Sequence, residues 1–329
     1  MSHLASSQLN KKHLEDAQRA VTAILKKHKM TIKKVLRLGP RYYVGDGMYR
    51  GKRAVLKMCL YTSSVDFLTN EKFKREVLFM RFLKTSRHAL LKRLAPLLYQ
   101  SGLEPRAWYI REYVGGQVQS INDGNVLYRP TFFTRERVKW IVNCFSSLQS
   151  IKKSELPDKF VSLLYKPDFT RQLLKYMNPH WKRVEASLRW SGLSRILKRY
   201  FNSNRRLYNT APRVFVHQEP YASAFIKQGS RWRLIDWENI GWGNPLHDYI
   251  VLWMRASQYP DWQEMLRTSA RKRIKLATFD QLWDMEALIQ SVFNVISWHF
   301  YKPKSDLREL FEFSRKNIKR ILTSETYAR

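Results

Sequence analysis

The chain has 329 residues, of which 44% are hydrophobic and 14% aromatic, so it can build one large domain or two lobes and lacks the composition of a disordered protein. Its two cysteines, Cys59 and Cys144, lie far apart without metal-ligand spacing, which argues against a disulfide scaffold and a structural zinc site. Lys and Arg outnumber Asp and Glu by 60 to 27, and the resulting net charge of +33 favours anionic partners such as nucleic acid, phospholipid head groups, phosphorylated sugars or nucleotides.

The N-terminal part of the chain changes from a helical pattern to a β pattern. Residues 8–29 carry apolar side chains at helical spacing and predict an amphipathic helix. A second helix is predicted over residues 67–83. Glycine-containing segments, including Gly45-Asp46-Gly47, separate short β-prone runs and predict turns between them. The predicted strands are 35–38, 42–44, 53–59, 96–100 and 108–113.

From about residue 130 onward the pattern is mainly helical. The predicted helices are 134–151, 168–177, 179–201, 249–256, 261–275, 279–301 and 305–323. The order of elements predicts an α+β protein with a small antiparallel β-rich lobe and a large helical lobe. The predicted parts are an N-terminal helix at 1–30, the β-rich lobe at 31–114 and the helical lobe at 115–329.

Segment 214–249 interrupts the helical pattern with two strand-like runs that each end in polar residues. Val214–Val216 precedes the cluster His217–Glu219, and Arg233–Ile235 precedes the cluster Asp236–Glu238. A hairpin of these runs would bring two carboxylates to one end of a sheet. Phosphoryl-transfer enzymes place a base and a metal ligand side by side in this way. The segment therefore predicts phosphoryl-transfer chemistry.

The stretches VFVHQEPYASAF and LIDWENIGWGNPLHD in this segment resemble the catalytic and metal-binding loops of the aminoglycoside phosphotransferase and choline kinase family. That family is a branch of the protein-kinase-like fold, and its order of elements agrees with this chain over nearly the whole length. The resemblance implies a bilobal protein-kinase-like fold. It also implies ATP and Mg²⁺ as cofactors, and transfer of phosphate to a hydroxyl of a small-molecule acceptor.

The resemblance places the nucleotide phosphates beside Lys57 in the run AVLKM. In the family such a lysine contacts the phosphates and pairs with a glutamate of the following helix, for which Glu76 is the first candidate and Glu71 the second. A lysine near phosphate acts as a fixed point charge when a carboxylate holds it. The residues alone leave open that Lys57 is a surface lysine on an edge strand.

The run Tyr109–Val114, followed by Gly115-Gly116, looks like the interlobe linker whose backbone groups receive the adenine edge. Glu112 and Val114 are the nucleotide-binding candidates there. Because a linker uses main-chain donors and acceptors, its side chains carry little information. A plain strand that ends in a turn is the alternative.

The predicted catalytic loop departs from the family pattern at two residues. Glu219 stands where the family has the aspartate that accepts the proton of the substrate hydroxyl, and Ala224 stands where it has a metal-binding asparagine. A glutamate has nearly the basicity of an aspartate and can still act as the base. His217 is predicted to be structural. In the predicted phosphate loop, Pro40 has no N–H to donate.

Asp236 is the predicted Mg²⁺ ligand, because an aspartate at a strand end facing phosphate is a metal ligand in this family. The alternative is a carboxylate that caps the next turn. Asp248, in the following GDPxxDL-like element, is predicted to brace the catalytic loop from the start of a helix.

Two basic stretches stand out: 181–206 mixes Lys and Arg with aromatic residues, and 267–275 carries five Lys and Arg residues. They predict contact with an anionic surface, either a membrane or nucleic acid, with ordinary exposed helix faces as the alternative. They also favour an anionic acceptor, such as a phosphosugar or a lipid-linked saccharide. The absence of a signal-peptide core predicts a cytoplasmic location, with peripheral membrane attachment left open.

Three functions remain open from the sequence. The first is an ATP-dependent phosphotransferase in which Glu219 is the base. The second is a pseudokinase that keeps the fold and a binding or scaffolding role, which the residues Pro40, Glu219 and Ala224 favour. The third is a basic nucleic-acid-binding or membrane-surface protein that keeps the kinase segment only as architecture.

Overall fold

The computed structural model describes residues 2–39, 41–62, 67–121, 127–164, 173–175, 177–300 and 305–324. The chain divides into two compact units. The first unit comprises Met1–Gln117, Lys153–Leu164 and Ile226–Ile240, and the second comprises Val118–Lys152, Tyr165–Phe225 and Gly241–Arg329. Two later segments of the chain therefore fold with its N-terminal part.

The strands of the described residues are β1 Met30–Leu38, β2 Tyr42–Tyr49, β3 Lys52–Cys59, β4 Leu98–Gly102, β5 Trp108–Glu112, β6 Gln117–Val118, β7 Val214–Val216, β8 Phe225–Gln228, β9 Arg231–Leu234 and β10 Gly241–Gly243. The α-helices of the same residues are α1 Ser2–His28, α2 Phe67–Thr85, α3 Ala89–Leu94, α4 Arg135–Gln149, α5 Asp158–Leu163, α6 Trp181–Leu188, α7 Leu193–Ser203, α8 Arg205–Thr210, α9 His247–Arg255, α10 Pro260–Arg273, α11 Phe279–Phe300 and α12 Ser305–Thr323. The predicted α+β class is confirmed.

A five-stranded antiparallel sheet in the order β1-β2-β3-β5-β4 forms the centre of the first unit. On one face, Ala17 and Val21 of α1 join an apolar cluster with Leu56 of β3. On the other face, Phe73 and Val77 of α2 pack in a cluster with Tyr109 of β5. Successive side chains of β3 point to opposite faces, so Leu56 and Met58 enter the first cluster and Cys59 enters the second.

The turn predicted at Gly45-Asp46-Gly47 is wrong, because these residues lie inside β2. The chain instead reverses at Arg50 and Gly51, which both have positive φ angles, of 49° and 73°. A Cβ atom on Gly47 would lie 1.8 Å from the carbonyl oxygen of Thr31. The glycine is therefore needed for the close approach of β1, whose pairing with β2 is bulged, and not for a turn.

The predicted hairpin of Val214–Val216 with Arg233–Ile235 is also wrong. In the first unit β9 pairs within the sheet of order β6-β8-β9, and the two residues Gly229 and Ser230 separate it from β8. In the second unit β7 pairs antiparallel with β10, with Phe215 opposite Trp242. A two-residue connection with Gly229 at a φ of 59° closes β8 on β9, so the nearer strand takes the pairing.

The helix predicted over 179–201 is broken into α6 and α7. Arg189 at the end of α6 has a φ of 48° and Gly192 before α7 has a φ of 76°, and these left-handed residues redirect the chain. Most of the helix predicted over 168–177 lies outside the described residues. The long helix α11 contacts α6, α9 and α12 and forms the apolar centre of the second unit. Within the described part of the chain, no helix is both long and apolar enough to span a bilayer.

Candidate active site

Lys57 lies at the centre of a cluster of three carboxylates in the first unit. Its Nζ donates hydrogen bonds to Glu76 Oε2 at 2.9 Å and to Asp236 Oδ1 at 3.0 Å. A third carboxylate oxygen, Glu238 Oε2, is 3.9 Å away. The lysine comes from β3, Glu76 from α2, and the two remaining acids from the turn after β9. The predicted Lys57–Glu76 ion pair is therefore present.

The cluster carries more negative than positive charge. Burial lowers the pKa of Lys57, but the carboxylates of Asp236 and Glu76 outweigh burial and hold the pKa well above its ordinary value. Burial raises the pKa of Glu76, and the charges of Asp236 and Glu238 add to the rise, although Lys57 opposes it. The ammonium is therefore charged, because three carboxylates face it.

Glu76 is held in place from several sides. The hydroxyl of Tyr109 donates to Glu76 Oε1 at 3.2 Å, and the backbone N–H of Trp237 donates to the same oxygen at 3.3 Å. The Trp237 ring is buried against Phe79 of α2, with ring centroids 4.9 Å apart. These contacts fix the turn that follows β9 to the helix that carries Glu76.

Asp236 has a left-handed backbone, with a φ of 69°. A left-handed conformation is uncommon for residues other than glycine, and aspartate and asparagine adopt it most readily of the rest. Its side chain is 54% exposed, whereas that of Lys57 is 10% exposed. The carboxylate thus stands at the open side of a buried ion pair, where a ligand can reach it.

Carboxylate oxygens of Glu76, Asp236 and Glu238 lie within 4.8 Å of one another. Mg²⁺ is bound by oxygen ligands, often one or two carboxylates together with substrate phosphates, so this donor set fits the ion. Glu238 is absent from the sites predicted from the sequence. Its signal was the two-residue spacing from Asp236, which a short 3₁₀ turn converts into a pair of neighbouring carboxylates.

The second candidate partner of Lys57, Glu71, lies elsewhere in the described structure. Its Oε1 forms an ion pair with Lys74 Nζ at 3.1 Å, and the same Nζ lies 2.8 Å from Glu104 Oε1. Lys74 is buried, with 9% of its side chain exposed, so it holds Glu71 away from Lys57. The helix therefore presents Glu76, and not Glu71, to Lys57.

The two linker candidates differ in how their groups are used. Glu112 binds the guanidinium of Arg233 through both carboxylate oxygens, at 2.6 and 2.7 Å, and its N–H donates to the carbonyl of Leu97 at 2.8 Å. Its carbonyl accepts from Arg111 at 3.0 Å. Val114 is buried at the end of this segment. Nucleotide contact by Glu112 and Val114 stays a prediction. The bonds of Glu112 to Arg233 and Leu97 also give it a structural role.

In the second unit, Asp248 fixes the loop that carries Glu219. Its two carboxylate oxygens accept hydrogen bonds from the backbone N–H groups of His217 and Gln218, each at 2.8 Å. Asp248 is fully buried in the first turn of α9. Its predicted bracing role is confirmed, and the half-buried Glu219 directly follows the braced residues.

The same loop has further supports that the sequence did not predict. The Tyr128 hydroxyl donates to the carbonyl of Pro220. His247 lies 3.0 Å from the carbonyl of Gln218 through Nε2, and 2.7 Å from Glu286 through Nδ1. Gln218 has a positive φ of 71°. Backbone strain of this kind persists only where surrounding contacts impose it, and here they come from both sides of the loop.

Ala224, which replaces the expected asparagine, ends a 3₁₀ turn that begins at Ala222. It is buried, and its N–H donates to the carbonyl of Tyr221 at 2.8 Å. A buried methyl group offers no ligand to a metal ion. Ala224 therefore contributes to packing and cannot act as a metal ligand.

The two basic stretches have different surroundings. In the first stretch, all eight basic side chains are exposed. They are Lys182, Arg183, Arg189, Arg195, Lys198, Arg199, Arg205 and Arg206. In the second stretch, Arg267 and Arg271 share Asp280, and Arg273 donates to Ser146 at 2.9 Å. The first stretch therefore presents the larger number of exposed basic side chains.

Residues 37–285 match the family model described as the phosphotransferase enzyme family. The sequence has no significant match among curated proteins. These residues include the Lys57 cluster, the Glu219 loop and the Asp248 brace. The match therefore covers every site residue that the sequence predicts, and Glu286 lies just beyond it.

Solved structures of aminoglycoside phosphotransferases resemble the chain over nearly its whole length. Aminoglycoside 2'-phosphotransferase-IIIa in its GDP complex is 14% identical with a TM-score of 0.62, covering 92% of this chain and 99% of that one. The ADP-bound APH(2'')-Ib is 16% identical with a TM-score of 0.56, covering 91% and 98%. The streptomycin–ATP complex of APH(2")-IIa is 14% identical with a TM-score of 0.54, covering 94% and 97%. This likeness confirms the predicted kinase-like fold.

Proposed function

The chain belongs to the phosphotransferase enzyme family, and from this premise we propose that it is an ATP- and Mg²⁺-dependent phosphotransferase acting on a small hydroxyl-bearing molecule. The observation that carries the proposal is the buried Lys57 with its three carboxylates. A charged lysine held by Glu76 offers a fixed positive point to phosphate oxygens. The similar solved structures contain GDP, ADP or ATP, which supports a nucleotide at this site.

Asp236 and Glu238 would hold the magnesium ion, because their carboxylates belong to the oxygen cluster and are less buried than Glu76. A bound Mg²⁺ supplies charge neutralisation at the phosphate oxygens. Glu238 provides the chain with a second acidic ligand where Ala224 offers none. The proposed site therefore does not depend on the missing asparagine.

Glu219 would accept the proton of the acceptor hydroxyl as that oxygen attacks the γ-phosphorus of ATP and ADP leaves. The carboxylate is half-buried and follows a loop that Asp248 fixes through two hydrogen bonds. A fixed backbone lets one side chain keep a constant position, which general-base assistance needs. This assistance is typically worth about 10²–10⁴-fold in rate.

The central experiment measures Mg·ATP binding and turnover by the intact protein. We expect Mg·ATP at about 100 times its Kd to stabilise the protein by about 2.7 kcal/mol, seen as a rise in melting temperature. We expect turnover to fall about 10²–10⁴-fold in Glu219→Gln, while the melting shift is kept because the amide leaves the nucleotide site intact. The exposed Glu264→Gln variant is the matched control and should behave as wild type.

The same experiment separates the alternatives. A melting shift without turnover in the wild type would favour the pseudokinase, for which Ala224 and the altered base are the supporting observations. Neither shift nor turnover, together with salt-sensitive binding to mixed polynucleotide or anionic vesicles, would favour the basic binding protein. A Glu219→Gln variant that turns over ATP at the wild-type rate would contradict the role of Glu219.

We further propose that the acceptor is anionic, such as a phosphosugar or a lipid-linked saccharide. The support is the exposed basic face of residues 181–206, which holds eight Lys and Arg residues and the single acid Glu185. A surface of one sign raises the local concentration of ligands of the other sign. In a screen of hydroxyl acceptors, we expect phosphorylation of anionic compounds to weaken with added salt. Phosphorylation of cationic aminoglycosides or choline alone would contradict this proposal.

A further inference from the structure

We propose that His247, as an imidazolium held between Glu286 and the carbonyl of Gln218, positions the loop that carries Glu219 and releases it on losing its proton. His247 would thus be a positioning residue and not a catalytic one. Its effect on catalysis rests on the proposed function, whereas the clamp itself is a property of the fold. All the residues of the clamp lie in the second unit.

The geometry requires a proton on each ring nitrogen. Nε2 lies 3.0 Å from the carbonyl oxygen of Gln218, which can only accept a hydrogen bond, so Nε2 must donate. Nδ1 lies 2.7 Å from Glu286 Oε1. If Glu286 is ionised it also can only accept, and a histidine that donates from both nitrogens is positively charged.

The surroundings of Glu286 favour its ionised form. The carboxylate is fully buried and accepts from Tyr208 at 2.5 Å, from Asn244 at 3.3 Å and from Gln290 at 3.3 Å. Each of these partners brings a donor, and none requires a proton on the carboxylate. Burial raises the pKa of Glu286, but the charge of His247 and these hydrogen bonds outweigh it and hold the pKa below its ordinary value.

The charged groups that face the ring all favour its protonated form. They are Glu286 from α11 and Asp248 from α9 itself, with the Tyr208 hydroxyl of α8 beside Glu286. Burial lowers the pKa of His247, but the two carboxylates and the bond to Gln218 outweigh it and raise the pKa to about 9. The proton is thus held at neutral pH and lost on the alkaline side.

The bond to Gln218 acts where the loop is strained. Gln218 has a φ of 71°, its N–H is bound by Asp248, and its carbonyl is bound by His247, so adjacent residues of α9 hold both backbone groups. Glu219 is the next residue along the chain. When His247 is neutral, only one of its nitrogens carries a proton, and because the bond to the ionised Glu286 is the stronger, the bond to Gln218 is the one lost. The backbone that leads into Glu219 then loses one of its two anchors.

The test uses two readouts on the protein without nucleotide. In histidine-labelled protein, the NMR signal of His247, identified by its absence in His247→Gln, should titrate with a midpoint near pH 9. In Glu286→Gln the midpoint should fall by about one pH unit or more, because the carboxylate that most strongly opposes burial is then absent. Glu264→Gln, an exposed substitution in the same unit, should leave the midpoint unchanged.

Hydrogen exchange of residues 214–224, corrected for intrinsic rates, gives the second readout. Exchange should rise about tenfold across the His247 midpoint, because one charge-assisted hydrogen bond is lost. In Glu286→Gln the rise should occur at the lower midpoint, and in His247→Gln exchange should not depend on pH. Exchange of β3 serves as the reference for global opening and should stay unchanged over the same range.

The proposed clamp would be refuted by a wild-type His247 midpoint at or below pH 6.5. It would also be refuted if hydrogen exchange of residues 214–224 did not change across the His247 titration. If both readouts follow the expectation and the protein still transfers no phosphate, only the proposed function is contradicted. If the protein is active, the alkaline loss of turnover should move to lower pH in Glu286→Gln by the shift measured in the NMR titration.

Discussion

Replacing Lys57 with methionine should destabilise the protein by about 3–5 kcal/mol, because it leaves a buried carboxylate without its counter-charge. Methionine keeps the length of the side chain, so the loss reports charge more than packing. The variant would leave Glu76, Asp236 and Glu238 facing one another with no cation among them. Urea unfolding at neutral pH measures the difference.

The loss should depend on pH in a defined direction. Burial and neighbouring acids already raise the pKa of Glu76, and removal of Lys57 would raise it further. An acid whose pKa is higher in the folded state binds a proton on folding, so its folded form gains stability as the pH falls. We therefore expect the deficit of Lys57→Met to shrink from about pH 8 to about pH 5.

Two further variants test whether the lost stability comes from the buried charge. In Lys57→Met/Glu76→Gln the buried charge is removed together with its partner, and more than half of the lost stability should return. Lys52→Met, an exposed substitution in the same strand, should change stability by less than about 0.5 kcal/mol. A single variant as stable as the wild type, or a deficit that does not vary with pH, would contradict the charge assignment of the cluster.

The Lys57–Glu76 pair could be predicted because local pattern and element order both point to it. Lys57 lies in an apolar strand pattern, and Glu76 follows Phe73 by three residues on the helix that packs against the same sheet. The Asp248 brace was predictable for the same reason, since it stands in the first turn of a helix after a recognisable segment. Such features depend on neighbours in sequence.

The pairing of strands could not be predicted in the same way. β10 consists of Gly-Trp-Gly, and its two glycines give it little strand propensity, yet it pairs with β7 because long-range packing brings the two together. The segment Lys153–Leu164 joins the first unit, and no local pattern indicates this. Gly47 suggested a turn, but its role is to admit the carbonyl of Thr31, a contact between strands.

The residues that support the Glu219 loop could not be predicted from the sequence, because their pairing depends on burial and charge. His247 and Glu286 are 39 residues apart. His247 stands at an unspecified position of the GDPxxDL-like element, and Glu286 stands in no motif. What makes them a pair is that Glu286 is fully buried and the side chain of His247 is only 16% exposed, so their charges must compensate each other. Glu238 was not predicted either, but the sequence holds a signal for it, because its spacing from Asp236 places both acids beside Lys57. Burial is a property of the fold and cannot be read from either residue alone.

Replacing Asp236 with asparagine should lower phosphotransfer about 10³-fold, because a metal ligand supplies several kcal/mol of charge stabilisation to the reaction. The Mg·ATP melting shift should shrink, since the first ligand of the ion is weakened. Glu238→Gln should have a smaller effect and raise the Mg²⁺ concentration needed for half-maximal turnover. Turnover and melting shifts measured over a range of Mg²⁺ concentrations test each expectation.

The fold of Asp236→Asn should survive. Asparagine accepts the left-handed backbone that Asp236 adopts at a φ of 69°. Lys57 keeps its bond to the buried Glu76, and removing one carboxylate relieves part of the repulsion that raises the pKa of Glu76. The melting temperature without ligand should therefore stay the same or rise while activity falls. A change that costs activity without costing stability marks a residue kept for function.

Asp261→Asn, at an exposed position early in α10, is the matched control and should leave turnover and its Mg²⁺ dependence unchanged. Wild-type turnover by Asp236→Asn at every Mg²⁺ concentration would refute the metal assignment. Lost turnover with a lower melting temperature would indicate that Asp236 mainly supports the fold. Asp236 is the most exposed acid of the cluster and the one most open to a ligand. We therefore expect Asp236→Asn to keep its stability and to lose the magnesium dependence of turnover.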